Sequence, residues 1–357
     1  MSLNFGPLGS SANQSSTLPG NLYTDPEVFE HEKEAIFRHQ WLAIARSAEL
    51  TEPGDYLTYE LLGDPIVVTR DADARLHAFS RVCLHRGCPI AQGSGNAHNG
   101  ILTCPYHRWT YALDGRLKGT PLMDQAENFD KSSMRLPQIS VAEWLGWIFI
   151  NAEANAAPLA PQLTNLETLM APFGVADMVC HDTLEFDSPW NWKIMVENFM
   201  ESYHHIGGHP ETLNPRFPAA GTHAVDLAGA FSLLENPARD EAESAPFWVA
   251  CVFPSTLISL VRGDSPKVAW YQMDIDAHDR FQLKIHLLAS PELAANEEYR
   301  QTMHATLMAI HLEDIPLCEG VWKGVNSRFH REGRLSHLEA ANWRFYNYLR
   351  DRLGADR

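Results

Sequence analysis

Cys83-Leu84-His85-Arg86-Gly87 and Cys104-Pro105-Tyr106-His107, with 18 residues between His85 and Cys104, each set one Cys and one His on a short loop. Two thiolates on one iron and two neutral imidazoles on the other are what one kind of [2Fe–2S] cluster requires. Imidazole in place of thiolate makes such a cluster less negative and raises its reduction potential. Gly, Ser and Asn fill residues 87–100, so the chain between the loops can fold back and bring them together. Zinc also takes two Cys and two His, but zinc fingers pair like ligands at set spacings. Two unrelated Cys/His pairs on β-turns are the third reading; only the cluster accounts for both loops at once.

Around these loops the first half of the chain carries short β-rich runs at 41–45, 56–62, 66–69, 76–80 and 146–150. Turn signals stand at Pro53-Gly54, Gly63-Asp64-Pro65 and Asp114-Gly115. The pattern predicts a small antiparallel β domain, closed by an Ala-, Pro- and Asn-rich linker at 151–161. Beyond it, Trp192, Met195, Phe199 and Tyr203 have helical spacing, predicting a helix over 190–207 that stops at Gly207-Gly208. Strands are expected near 247–261, 268–275 and 281–288. Helices are expected over 292–319 and 336–352, the second with Ser336 and Glu339 as a capping box. An all-β domain followed by an α+β domain is the result.

With 357 residues, 45% of them hydrophobic, the chain has material for one large domain or two. A net charge of −17 argues against nucleic acid or an anionic membrane as partner. No apolar run reaches the roughly 18 residues of a membrane-spanning helix. Residues 1–21 lack the basic and apolar regions of a signal peptide and read as a loose arm. The six cysteines are too sparse for a disulfide scaffold and fit a reducing cytoplasm.

A second constellation is Glu197-Asn198-Phe199-Met200-Glu201-Ser202-Tyr203-His204-His205-Ile206-Gly207-Gly208-His209-Pro210. Non-haem Fe(II) centres use two His and one carboxylate on one face of the metal, leaving other positions for O₂. His204 and His209 are the candidate imidazoles. On a regular helix their spacing would turn them about 140° apart, and Gly207-Gly208 is expected to end or widen the helix so that both reach one ion. Glu201 shares the face of His204, either as a ligand or as the partner of that ring's far nitrogen. His205, about 100° away from His204, is the decoy.

Taken together, the two strings resemble the α subunits of Rieske non-haem iron ring-hydroxylating oxygenases. The matching segments are Cys83-Leu84-His85-Arg86-Gly87, Cys104-Pro105-Tyr106-His107, and Asn191-Trp192-Lys193 leading into Glu197-Asn198 and Tyr203-His204. The resemblance implies a Rieske [2Fe–2S] cluster on Cys83, His85, Cys104 and His107, and a mononuclear Fe(II) on His204, His209 and a downstream carboxylate. Leu312-Glu313-Asp314-Ile315-Pro316-Leu317-Cys318-Glu319 looks like the family's carboxylate-bearing helix, with Asp314 at the ligand position and Glu313 facing elsewhere. A solvated acidic patch is the plainer reading of that segment. Glu201 is implied as a bridging carboxylate, and Asn198 joins it as a candidate catalytic residue. The implied fold is α+β: an all-β Rieske domain at 41–155 and an antiparallel-sheet and helix catalytic domain at 156–357. Residues 1–40 would be an arm and helix packed on the latter. Some Rieske proteins tie the cluster loops with an extra disulfide; Tyr106 stands where Cys88 would find its partner, so Cys88 is expected as a packed free thiol.

Family members are typically trimers, in which the cluster of one subunit serves the iron of the next through His107, Glu201 and His204. A head-to-tail contact of this kind closes into a C₃ ring. Electrons come from a separate NAD(P)H-dependent reductase, with a ferredoxin where one intervenes. The chain has no Gly-x-Gly-x-x-Gly fingerprint, so it meets NAD(P)H only indirectly. The substrates would be O₂ and a small organic molecule. The reading leans to hydroxylation of an aromatic compound by a dioxygenase or monooxygenase. The runner-up is oxidative demethylation of a quaternary amine or methoxy compound, because residues 313–327 look similar to oxygenases of quaternary amines. An electron carrier without catalytic iron is opposed by the long chain beyond the cluster loops. A binding protein on a decayed scaffold is opposed by the filled ligand positions.

Overall fold

The computed structural model describes residues 3–240, 242, 244–261, 263 and 266–354. The chain divides into two compact units, residues 38–159 and residues 1–37 with 160–357. The first unit is all-β. Its larger antiparallel sheet has seven strands, in the order Leu42–Arg46, Trp147–Asn151, Gln138–Trp144, Leu76–Ser80, Asp64–Arg70, Asp55–Leu61 and Ser94–Asn96. A small sheet of three strands, Ile101–Thr103, Thr110–Ala112 and Leu117–Gly119, carries the second Cys/His loop. Val67, Phe79, Leu102, Trp109 and Tyr111 form a core that takes in Cys83 and Cys104.

The other unit is built on a second antiparallel sheet of seven strands. Their order is Val179–Ser188, Arg280–Ala289, Lys267–Ala277, Thr256–Val261, Phe247–Val252, Phe231–Asn236 and His223–Ala224. The mixed α+β class follows from the helices set beside it, chiefly Trp192–Phe199, Glu297–Val325 and Ala340–Leu353. Among the described residues no helix is long and apolar enough to cross a membrane.

Several sequence expectations change. The helix expected over 190–207 is two pieces, Trp192–Phe199 and His205–Gly208. It breaks because Glu201 Oε2 accepts the His204 backbone N–H at 3.0 Å, taking a donor that a continuous helix would use. The strand expected over 247–261 is a hairpin of two strands, and the helix expected from 292 restarts at Glu297, where the Asn296 side chain caps the Tyr299 N–H. The linker gives way to a helix at Leu159–Met170. The arm is not loose from Leu3 onward: Trp343 donates to the Gly9 carbonyl, Thr17 N–H to Gly333, and Ser16 bridges Arg334. The capping box forms, on a short 3₁₀ turn at His337–Glu339.

The helix Trp192–Phe199 is fixed from beneath. Asn191 caps the Lys193 N–H and donates to the carbonyls of Tyr23 and His278. Lys193 Nζ lies 2.5 Å from Glu32 Oε1, and Trp192 Nε1 donates to Glu32 Oε2; both charged side chains are fully enclosed. One turn on, the Tyr23 hydroxyl donates to Glu197, whose carboxyl is pushed up to about 8 by burial. Removing one partner of an enclosed ion pair strands the other charge. Lys193→Met is therefore expected to destabilise this unit by about 3–5 kcal/mol, read as a lower midpoint in urea. The double variant Lys193→Met with Glu32→Leu should recover much of the loss.

Candidate metal centres

The two Cys/His loops have the same backbone. Cys83 N–H donates to Cys88 O and Gly87 N–H to Cys83 O; in the other loop Cys104 N–H donates to Trp109 O and Arg108 N–H to Cys104 O. Each turn needs a positive φ four residues after its Cys, supplied by Gly87 (+73°) and by Arg108 (+61°). Cys83 and Cys104 are buried, and the rings of His85 and His107 approach to 4.4 Å between centroids. His85 is stacked on Trp109 at 4.9 Å, and its Nδ1 is buried without a hydrogen-bond partner. A buried ring nitrogen left unpaired is costly, and a metal bond would satisfy it. Two buried thiols and two adjacent imidazoles suit a [2Fe–2S] cluster with mixed ligands. Cys88 is a free thiol.

Sequence reasoning overlooked Tyr111. Its hydroxyl accepts the Leu84 N–H at 3.0 Å and lies 3.2 Å from Cys83 Sγ. Toward a metal-bound thiolate, which can only accept, the hydroxyl is the donor. An aromatic with a hydroxyl seven residues after Cys104 gives no signal in the sequence, because only the sheet pairing brings it under the other loop.

The second cluster gathers His204, His209 and Asp314, whose ligand atoms all lie within 4.8 Å of one another. His209 Nε2 is 3.0 Å and His204 Nε2 3.6 Å from the same Asp314 oxygen, Oδ1. The opposite ring nitrogens meet carboxylates as well: His204 Nδ1 is 2.7 Å from Glu201 Oε1, and His209 Nδ1 is 2.7 Å from Glu313 Oε2. Both ring nitrogens of each His face carboxylate oxygens, so the proton position depends on the tautomer; with a cation bound at Nε2, the ring proton sits on Nδ1, toward Glu201 or Glu313. Three ligand atoms converging at these distances fit a cation between them, and two imidazoles with one carboxylate suit Fe(II).

Glu201 is therefore placed at the far nitrogen of His204 rather than among the converging atoms, and Glu313, also held by the Thr212 hydroxyl, does the same for His209. The neighbouring acids 313 and 314 part because consecutive helical residues point about 100° apart. Burial opposes ionisation of Asp314, but the hydrogen bond and charge of His209, with His204, hold its carboxyl below the usual range. Asn198 Nδ2 donates to Asp314 Oδ1 at 3.2 Å. His205 is a packed residue: its Nδ1 meets the Phe217 carbonyl at 2.9 Å, and burial pushes it down to about 4.

The short helix does end at Gly208, as the glycine pair predicts, and a Cβ there would come within 2.7 Å of Leu317 Cδ1, so the glycine also leaves room for that side chain. The helix bearing Asp314 runs through Pro316, which supplies no N–H to the turn around Asp314.

Comparison with known proteins gives consistent results. Residues 40–133 match the family of the Rieske [2Fe-2S] domain, and 175–355 the catalytic domain of the ring hydroxylating alpha subunit. The carnitine monooxygenase oxygenase subunit of Acinetobacter baumannii is 34% identical over 339 residues, covering 89% of this chain and 88% of that protein. The glycine betaine monooxygenase oxygenase subunit of Chromohalobacter salexigens is 36% identical over 199 residues, covering 56% of this chain and 44% of that one. The solved structure of a quaternary ammonium Rieske monooxygenase, described for carnitine oxidation and inter-subunit electron transfer, superposes with a TM-score of 0.84 at 28% identity. It covers 99% of both chains.

Proposed function

This chain belongs to the family of Rieske oxygenase catalytic subunits, with a [2Fe–2S] cluster and a mononuclear iron as cofactors, and from that premise we propose that it is a monooxygenase of quaternary amines. The observation that carries the reading is the 34% identity to a carnitine monooxygenase subunit over 89% of the chain. It favours the runner-up of the sequence reading over the aromatic substrate first preferred. Insertion of one atom of O₂ into a C–H bond beside the cationic nitrogen, with the other leaving as water on uptake of two electrons and two protons, gives a carbinol at that carbon. This collapses to an amine and a carbonyl compound, breaking the C–N bond.

In this reading Cys83 and Cys104 hold one iron of the cluster and His85 and His107 the other, supported by the matched loops and the unpaired Nδ1 of His85. His204, His209 and Asp314 hold the mononuclear iron, supported by their convergence. When bound, that iron supplies O₂ activation with electrons from the cluster. Glu201 and Glu313 fix the proton of each His on Nδ1 and so aim Nε2. Asn198 holds the orientation of the Asp314 carboxylate. Phe199, packed edge-on against Tyr271 at 4.8 Å, and Phe247 put aromatic surface beside the site, suited to a methylammonium head.

The same reading takes a reductase as electron donor and a homotrimer in which His107 of one subunit hands electrons to Glu201 and His204 of the next. Its support is the inter-subunit transfer described for the quaternary ammonium monooxygenase. Turnover with a reconstituted reductase and ¹⁸O₂ tests the function. One labelled oxygen in an aldehyde product, with free amine, is expected. A cis-diol with two labelled oxygens from an aromatic substrate overturns it.

The Tyr111 hydroxyl, donating to Cys83 Sγ, favours the more negative reduced cluster. Tyr111→Phe should lower the cluster potential by roughly 40 mV, the one-electron equivalent of a hydrogen bond of about 1 kcal/mol. Redox titration followed by the cluster's visible circular dichroism measures it.

A further inference from the structure

Next to the metal site, the catalytic unit opens a cavity of about 300 Å³, which shares Leu213, Phe247, Tyr271 and Ile310 with the pocket around His204, His209 and Asp314. Its volume is that of a small-ligand site, and its lining is mostly apolar. Two cations break that lining, Arg216 at the exposed mouth and Lys267 half-buried at the start of its strand. Neither has an acidic partner among the described residues. Among the described residues no Asp or Glu lines the cavity with them. Arg216 is steadied by donating through Nε to Ser244 Oγ at 2.9 Å and by lying over the Phe217 ring, and among the described residues its remaining guanidinium nitrogens meet no acidic group. Burial and the facing Arg216 charge push the Lys267 ammonium down.

Two like charges held close in an apolar wall are unfavourable unless something anionic joins them. At the metal end of the same pocket system Phe199, Phe247 and Tyr271 line the wall, while Glu201 and Asp314 are committed to His204 and the metal. The pocket therefore has an aromatic-lined end at the metal and a positive end at the mouth. We propose that Arg216 and Lys267 form an anion subsite that reads a carboxylate carried by the substrate at the end remote from the attacked C–N bond. The proposal rests on the quaternary-amine reading and narrows it to zwitterionic substrates. The planar guanidinium suits a two-pronged grip on carboxylate, and the ammonium adds a point charge. Neither residue takes part in oxygen insertion, so the subsite governs binding and not the chemical step.

Three probes test this on the iron-loaded holoenzyme: γ-trimethylammoniobutyrate, its methyl ester, and the carbon isostere with a tert-butyl group for the trimethylammonium. Calorimetry gives Kd, and steady-state turnover with reductase gives KM and kcat. The ester should bind about ten- to a hundredfold more weakly than the acid, the range for hydrogen bonds to a charged group. Arg216→Gln and Lys267→Gln should each raise Kd and KM for the acid about tenfold with kcat nearly unchanged. The ester should be almost insensitive to both, and Arg216→Lys should restore part of the loss. Equal binding of acid and ester, or equal effects of the variants on both, overturns the subsite while leaving the amine reading intact. If the tert-butyl acid binds as tightly as the ammonium acid and neither ammonium compound is oxidised, the amine reading has failed. The Arg216 and Lys267 dependence then decides the subsite by itself.

Discussion

Asp314→Ala is expected to abolish oxygenation, with turnover falling by at least about 10⁴-fold, and to leave the [2Fe–2S] spectrum unchanged. Asp314 is the single atom source on which both imidazoles converge, at 3.0 and 3.6 Å. Without it two neutral nitrogens remain, too few for a stable Fe(II) site. Metal analysis should fall from about three irons per chain to about two, with two sulfides retained. The neighbouring Glu313→Gln is the control. It touches only the far nitrogen of His209 and the Thr212 hydroxyl, so a loss of about 10- to 100-fold with iron largely retained is expected. Equal iron loss in the two variants would reverse their assignments.

Glu201→Gln is expected to lower kcat by at least about a hundredfold while all three irons stay bound. The carboxylate accepts from both the backbone N–H and the ring of His204, at 3.0 and 2.7 Å. The amide keeps the size but presents an N–H₂ group that repels the ring proton, so His204 turns or changes tautomer. Freeze-quench measurement of cluster oxidation after O₂ addition separates the two parts of the effect. Slow oxidation with normal iron content locates the loss in electron delivery; unchanged oxidation and full turnover would remove Glu201 from that route.

The two ligand loops were legible because a cluster dictates residue type and short-range spacing: Cys83, His85, Cys104 and His107 stand out in any reading of the chain. The β-rich first half was legible from its alternation and turns. The metal string at 197–210 was visible too, yet its geometry was not, since a side chain taking a backbone N–H breaks the helix that the apolar spacing predicts. The strand Gln138–Trp144 was missed because its alternation, Gln138-Ile139-Ser140-Val141, breaks at the adjacent apolar pair Val141-Ala142.

The sequence by itself determined the family, the kinds of metal centre and most of their donor types, because ligand chemistry is local and leaves its mark over a few residues. Only the tertiary structure decided which acid does what. Glu201 and Glu313 orient histidines, Asp314 joins the convergence, Tyr111 reaches Cys83, and Arg216 meets Lys267 across the cavity mouth. Each of these depends on elements far apart in the chain being brought within hydrogen-bond or Coulomb range, a distance that no residue spacing encodes.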